Sequence, residues 1–78
     1  MRKKELRLII SFHTTVAAMV MEEWCLEHGV PGRLIPIPRE ITAGCGMAWS
    51  APPEEEIKVT NAAEDGDIEI AGKYLLEI

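Results

Sequence analysis

The sequence predicts an α+β fold in which four strands and two helices follow one another in the order βαββαβ. Runs of branched apolar residues alternate with two helical segments, and capping residues, prolines and glycines mark where the helices begin and end. The apolar fraction of 47% and the charged fraction of 27% are typical of a globular chain. With 78 residues we expect one domain, 1–78, with a thin core.

The first strand and helix are the clearest elements. Residues 5–12 (ELRLIISF) predict a largely buried strand. Thr14 or Thr15 is then expected to cap a helix over 16–28, which Gly29 ends. Two apolar stripes run along this helix: Ala18, Met21 and Cys25 form one, and Val16, Val20 and Trp24 form the other. Because a helix that is apolar on two sides is buried on two sides, the second stripe predicts a subunit interface.

Residues 33–37 predict a second strand, and 46–51 predict a third, with an irregular segment over 38–45 between them. Pro36 cannot donate a ladder hydrogen bond, so the second strand is expected at a sheet edge or to end there. Pro52 and Pro53, followed by three glutamates, predict a helix start. The helix body over 57–63 contains weak helix formers.

A turn over 65–67 is expected to lead into a last strand over 68–78, bent at 71–72. The whole order suggests a ferredoxin-like sandwich, with a four-stranded, mainly antiparallel sheet and two helices on one face.

The net charge of −5 disfavours nucleic-acid binding, because an acidic chain repels phosphate backbones. The basic residues at 2–4 and Arg7 are read as a solvated strand start, with an anion-binding patch as the alternative. No apolar run approaches the ~20 residues of a membrane span. Residues 6–10 are too short and too interrupted for a signal peptide. We therefore expect a cytoplasmic protein whose two cysteines are free thiols.

Cys45 is the strongest candidate for chemistry. Gly44 and Gly46 flank it without side chains, so another molecule can approach the sulfur closely. Glycines also permit positive φ, which lets backbone N–H groups converge on an anion, and Thr42 belongs to the same candidate binding loop. Arg39 and Arg33 are close enough in sequence to stabilise a thiolate. The alternative is that Cys45 is a small buried apolar residue at a strand start.

Glu22 is predicted to fall on the stripe of Ala18, Met21 and Cys25, where a carboxylate needs a partner. Arg39 is the expected partner, and the alternative is a solvated Glu22 at the rim. Cys25 is expected to pack in the core. The two histidines, His13 and His28, share no ligand spacing with the cysteines, so we expect no metal site. Both tryptophans are expected to anchor the core or an interface.

Residues 12–49 resemble a small prokaryotic family described as selenium/sulfur carrier protein-like. The segment Leu34-Ile35-Pro36-Ile37-Pro38-Arg39 and the segment Gly44-Cys45-Gly46-Met47-Ala48, preceded by Glu40-Ile41, carry most of the resemblance. The other matching positions are Phe12, Thr14, Thr15, Ala18, Glu22, Gly29 and Val30. After Pro53 the resemblance holds only in outline, since the second helix of the family is richer in leucine.

The resemblance implies that Cys45 bears the chalcogen. We therefore expect a carrier, rather than a true enzyme, that holds a persulfide or selenopersulfide on Cys45. A donor such as a cysteine desulfurase would load it and an acceptor enzyme would unload it, without a cofactor. Arg39 would stabilise the anion and Glu22 would orient Arg39. The alternative is a non-catalytic, oligomeric ligand-binding or interaction module with a structural Cys45. In either case a homodimer is expected.

Overall fold

A computed structural model describes residues 4–41 and 44–78. Its strands and helices are β1 (Leu6–Ser11), α1 (Thr15–His28), β2 (Arg33–Pro36), β3 (Met47–Ala51), α2 (Glu56–Asp65) and β4 (Gly72–Glu77), with a short 3₁₀ turn at Pro53–Glu55. The strands form one sheet in the order β2-β3-β1-β4, and every neighbouring pair is antiparallel. This confirms the α+β fold class and is consistent with a ferredoxin-like arrangement.

The caps of α1 explain its bounds. Thr14 is extended, and its Oγ1 accepts a hydrogen bond of 3.1 Å from the N–H of Ala17. Gly29 ends the helix in the left-handed conformation, with φ of 67°. The sequence predicted this helix to within one residue, and the structure selects Thr14 over Thr15 as the cap.

The second helix is complete despite its weak helix formers. It begins after the proline turn and extends for 10 residues. Val59, Ala62 and Ala63 are all buried along one side of it. Burial against the sheet therefore stabilises a segment whose intrinsic helix propensity is low.

Both helices pack on one face of the sheet. A single buried cluster joins the sheet residues Leu8, Ile10, Trp49 and Ala51 to Phe12, to Ala18, Met21 and Cys25 of α1, and to Val59, Ala62 and Ala63 of α2. Within it, Trp49 also donates from Nε1 to the carbonyl oxygen of Pro31 at 3.3 Å. The expected placement of two helices on one face is confirmed.

The helix-free face has a smaller apolar cluster. Ile9 and Ala48 project from the sheet, and Ile41 covers them with only 6% of its surface exposed. Ile41 follows a turn, in which its N–H donates to the carbonyl oxygen of Pro38 at 3.0 Å. The segment after β2 therefore folds back over the sheet before it reaches Cys45.

The last strand is shorter than predicted. It begins at Gly72 rather than at residue 68. The N–H of Ile68 donates to the carbonyl oxygen of Ala63 at 2.8 Å, and the side chain of Ile68 is buried in the helix-side cluster. The backbone of Ile68 thus caps the C-terminal end of α2. The chain rejoins the sheet at Ala71, whose N–H donates to the carbonyl oxygen of Ser11 at 2.7 Å.

The second apolar stripe of α1 is largely exposed in the single chain. Val16 is 69% exposed and Val20 is 42% exposed, whereas Trp24 is half-buried.

Across the described ranges, neither helix has the combination of length and apolar character that crossing a membrane requires.

Candidate functional site

Cys45 lies in the loop that enters β3, and two backbone hydrogen bonds fix this loop. The N–H of Cys45 donates to the carbonyl oxygen of Phe12 at 3.1 Å. The N–H of Ile37 donates to the carbonyl oxygen of Gly46 at 2.9 Å. Since Phe12 follows β1 and Ile37 follows β2, the cysteine is attached at the ends of both strands.

Both glycines beside Cys45 adopt the positive φ that glycine permits. The φ angle is 141° at Gly44 and 94° at Gly46, and both lie where L side chains are rare. A Cβ on Gly44 would lie 2.9 Å from Cδ1 of Ile37, whereas a Cβ on Gly46 would meet nothing within 4 Å. The loop is therefore packed on the Gly44 side and open on the Gly46 side.

The expected anion nest at Cys45 is only partly available. Its central N–H is the one that already donates to Phe12. A backbone donor in a hydrogen bond of this length has no second proton to offer to a bound anion. Within the described residues, the loop thus serves first to fix the cysteine in place.

Cys45 is neither fully buried nor fully exposed. The residue is half-buried and packs at the margin of the helix-side cluster. Its Sγ lies 3.7 Å from the carbonyl oxygen of Met47, the distance of a weak S–H hydrogen bond. The residue therefore packs against the core while part of it remains accessible to solvent.

Cys25 differs from Cys45 in its surroundings. It is 1% exposed among the apolar side chains beneath α1. Burial raises the pKa of the Cys25 thiol from 9.0 to about 11, because the charged thiolate is desolvated there. The expectation that Cys25 packs in the core is confirmed. Both cysteines are free thiols.

The structure does not bring the expected charged partners together. Arg39 lies in the exposed turn that precedes Ile41, and Glu22 is exposed on α1. Within residues 4–41 and 44–78, the salt bridge found is between Lys73 and Glu56, and none joins Arg39 to Glu22. Glu22 lies outside the buried stripe, as the solvated alternative expects.

Arg33 is also remote from Cys45. In the antiparallel pairing of β2 with β3, Arg33 is opposite Ser50, whereas Pro36 is opposite Met47. Cys45 comes two residues before Met47, so Arg33 occupies the far end of this strand pair. Sequence proximity across residues 33–45 was misleading because the strand carries Arg33 away from the loop.

Of the remaining candidate residues, Thr42 lies outside the described residues. His28 stacks on the ring of Trp24, with ring centroids 4.0 Å apart, and its Nδ1 lies 2.9 Å from the carbonyl oxygen of Trp24. His13 is exposed. Across the described part of the chain, no three His, Cys, Asp or Glu side chains are grouped closely enough to hold a metal ion.

Sequence reasoning missed a polar group on the helix-free face. Nε of Arg7 donates to Oγ of Ser50 at 3.1 Å, although the two residues are 43 positions apart. The alternation of β1 places Arg7 on the same face as Ile9, which is the signal that the sequence offered. Its partner depends on strand register, and local patterns do not contain that information.

Comparison with known protein families identified a match over most of the chain. A family model described as "Putative Se/S carrier protein-like" matches residues 7–75. The match covers both helices and almost the whole sheet, including Cys45. No match was found among curated proteins or among solved structures.

Proposed function

Because the chain belongs to the selenium/sulfur carrier protein-like family, we propose that it carries a chalcogen atom as a persulfide or selenopersulfide on Cys45. The observation that carries this proposal is the contrast between the two thiols. Cys25 is buried and its pKa is raised to about 11, whereas Cys45 is half-buried in a loop that opens toward solvent at Gly46. A thiol that exchanges chalcogen with other proteins must be reached by them.

The proposed transfer needs no external oxidant. The thiolate of Cys45 attacks the outer sulfur of a donor persulfide, so that the donor S–S bond breaks and a new S–S bond forms on Cys45. The donor leaves as a thiol after taking up a proton. An acceptor thiolate then attacks the outer sulfur on Cys45, which returns to the thiol. A selenopersulfide follows the same steps with selenium as the outer atom.

The proposed partners are a chalcogen donor, such as a cysteine desulfurase, and an acceptor enzyme. Arg39 enters the proposal as a cation for the persulfide anion, and Glu22 as the group that orients it. Both roles rest on sequence reasoning, since these two residues form no ion pair in the described structure. Replacing Arg39 with glutamine tests the first role, and replacing Glu22 with glutamine tests the second.

Intact-mass measurement after incubation with a cysteine desulfurase, cysteine and pyridoxal phosphate tests the carrier proposal. We expect one sulfur atom to be added to the wild type and to Cys25→Ala, and none to Cys45→Ala. The proposal is wrong if the wild type gains no sulfur under conditions that load a known carrier protein. It is also wrong if Cys45→Ala is loaded as well as the wild type.

A second candidate function is an oligomeric interaction module that pairs with a second copy of this chain. The observation in its favour is a group of exposed apolar side chains on one face of α1: Val16, Met19, Val20 and Leu26. Sedimentation equilibrium of the wild type and of Met19→Lys tests it, with Lys58→Gln as a control on the other helix. A stable dimer that Met19→Lys dissociates, combined with an unreactive Cys45, would favour the module over the carrier.

A further inference from the structure

A cleft of about 740 Å³ opens on the helix-free face of the sheet. The residues that line it include Arg7 of β1, Arg33 of β2 and Ser50 of β3. Arg7, Arg33 and Ser50 lie toward the end of the sheet opposite Cys45, because Ser50 is near the end of β3 whereas Cys45 precedes its start. Pro36, Pro38 and Glu40 extend the cleft along the segment that follows β2. The two arginines and Ser50 are therefore separate from Cys45.

The two arginines reach the cleft from strands on either side of β3. Ser50 is directly opposite Arg33 in the β2–β3 pairing and directly opposite Ile9 in the β1–β3 pairing. Arg7 is two residues before Ile9 and so lies on the same face, diagonal to Ser50. Its Nε donates to the buried Oγ of Ser50 at 3.1 Å. This bond positions the guanidinium of Arg7, and the terminal N–H groups of the guanidinium remain available as donors.

Neither arginine forms a salt bridge within the described residues. No carboxylate lies within 4.0 Å of either guanidinium in the described residues. The five other residues, 1–3 and 42–43, include no aspartate or glutamate. Glu5 and Glu40 also line the cleft and, like Arg33, are exposed to solvent. The lining thus offers two guanidinium groups that form no salt bridge within the described residues, beside an apolar wall formed by Ile35, Pro36 and Pro38.

We propose that this cleft binds a small molecule through an oxyanion, a carboxylate or a phosphate, held between Arg7 and Arg33. Guanidinium groups bind both oxyanions through paired N–H donors, and the hydroxyl of Ser50 can add a third contact. The apolar wall takes the body of the ligand. This inference is independent of the carrier proposal, since Cys45 is not among the groups that hold the anion.

Nuclear magnetic resonance titration tests the proposal, with arginine Nε–H signals and backbone amides as the readout. The probes are 3-phenylpropionate, phenyl phosphate and the cation phenethylamine. We expect saturable shifts at Arg7, Arg33 and Ser50 with at least one anion, and no such shifts with phenethylamine. A response to only one anion supports the proposal and identifies the oxyanion that the cleft prefers.

Arg33→Gln is the decisive variant, because this exposed side chain makes no hydrogen bond or ion pair within the described residues. We expect it to weaken anion binding by about tenfold or more. Arg7→Gln should weaken binding as well and also removes the bond to Ser50. Lys58→Gln changes the net charge equally on α2 and should bind like the wild type. Absence of saturable shifts with both anions, equal shifts with phenethylamine, or unchanged binding by Arg33→Gln would overturn the proposal.

Discussion

The backbone N–H of Cys45 donates to the carbonyl oxygen of Phe12 at 3.1 Å, so the residue that bears the candidate thiol is hydrogen-bonded to the chain just after the central strand β1. We expect the Cys45 amide to exchange its hydrogen slowly, with protection that is lost only when the β1 region opens. Hydrogen exchange followed by nuclear magnetic resonance measures this. Exchange at the rate of an unstructured peptide would contradict the fixed loop.

The desolvated Cys25 thiol makes stability depend on alkaline pH. Its pKa is raised from 9.0 to about 11 in the folded state, so below pH 9 both states keep the proton and there is no dependence. Between pH 9 and 11 the unfolded state loses the proton first, which favours unfolding as the pH rises. At pH 10 the resulting loss in the free energy of unfolding is up to about 1.4 kcal/mol.

Urea unfolding of the wild type and Cys25→Ala at pH 8 and pH 10, under reducing conditions, isolates this effect. The wild type should lose more free energy of unfolding over this interval than the variant, since other titrating groups are common to both. An equal loss in the two proteins would show that Cys25 is not desolvated.

Gly32 permits the close approach of the chain to Trp49. A Cβ at position 32 would clash with Nε1 of Trp49 and would lie 2.7 Å from the carbonyl oxygen of Ser50, with φ at 128°. We expect Gly32→Ala to lower the free energy of unfolding by about 3 kcal/mol, through backbone strain and displacement of the indole.

Gly29→Ala is the matched control for Gly32→Ala. It also has positive φ, at 67°, but an added Cβ would meet nothing within 4 Å. Gly29→Ala should lower the free energy of unfolding by about 1 kcal/mol, because it adds backbone strain without a steric clash. Equal losses for the two variants in urea unfolding would mean that the contact with Trp49 does not constrain position 32.

The N-cap hydrogen bond of α1 uses only one of two adjacent threonines. Only Thr14 accepts a hydrogen bond from the N–H of Ala17, at 3.1 Å. Thr14→Ala should therefore destabilise the protein by about 1 kcal/mol. Thr15→Ala should be neutral or slightly stabilising, because alanine is the better helix former. The reverse ranking in thermal unfolding would place the cap at Thr15.

The ion pair between Lys73 and Glu56 connects β4 to the start of α2, with Nζ and Oε2 2.8 Å apart. The side chains are 39% and 45% exposed, so solvent screens the attraction. A double-mutant cycle with Lys73→Gln and Glu56→Gln should give a coupling energy below about 1 kcal/mol that decreases with added salt. A larger, salt-independent coupling would mean that the pair is desolvated.

Local patterns predicted the elements well because they depend on residues near one another in sequence. Gly29 ended α1 as expected, and Pro36 ended the edge strand β2. Ile68 was assigned to a strand because its apolar character does not reveal whether it joins the sheet or closes a helix. Arg33 was placed near Cys45, and Arg7 was not connected to Ser50, because both relationships depend on strand register.

The attachment of the cysteine loop to two strand ends has a consequence for any exchange at Cys45. The sulfur is held by one short side chain on a fixed loop, so it cannot move between two separate binding sites. If Cys45 exchanges chalcogen as proposed, the donor and the acceptor would have to occupy the same small docking area in turn. Each would act as a competitive inhibitor of the other, and turnover would slow when either partner is in large excess.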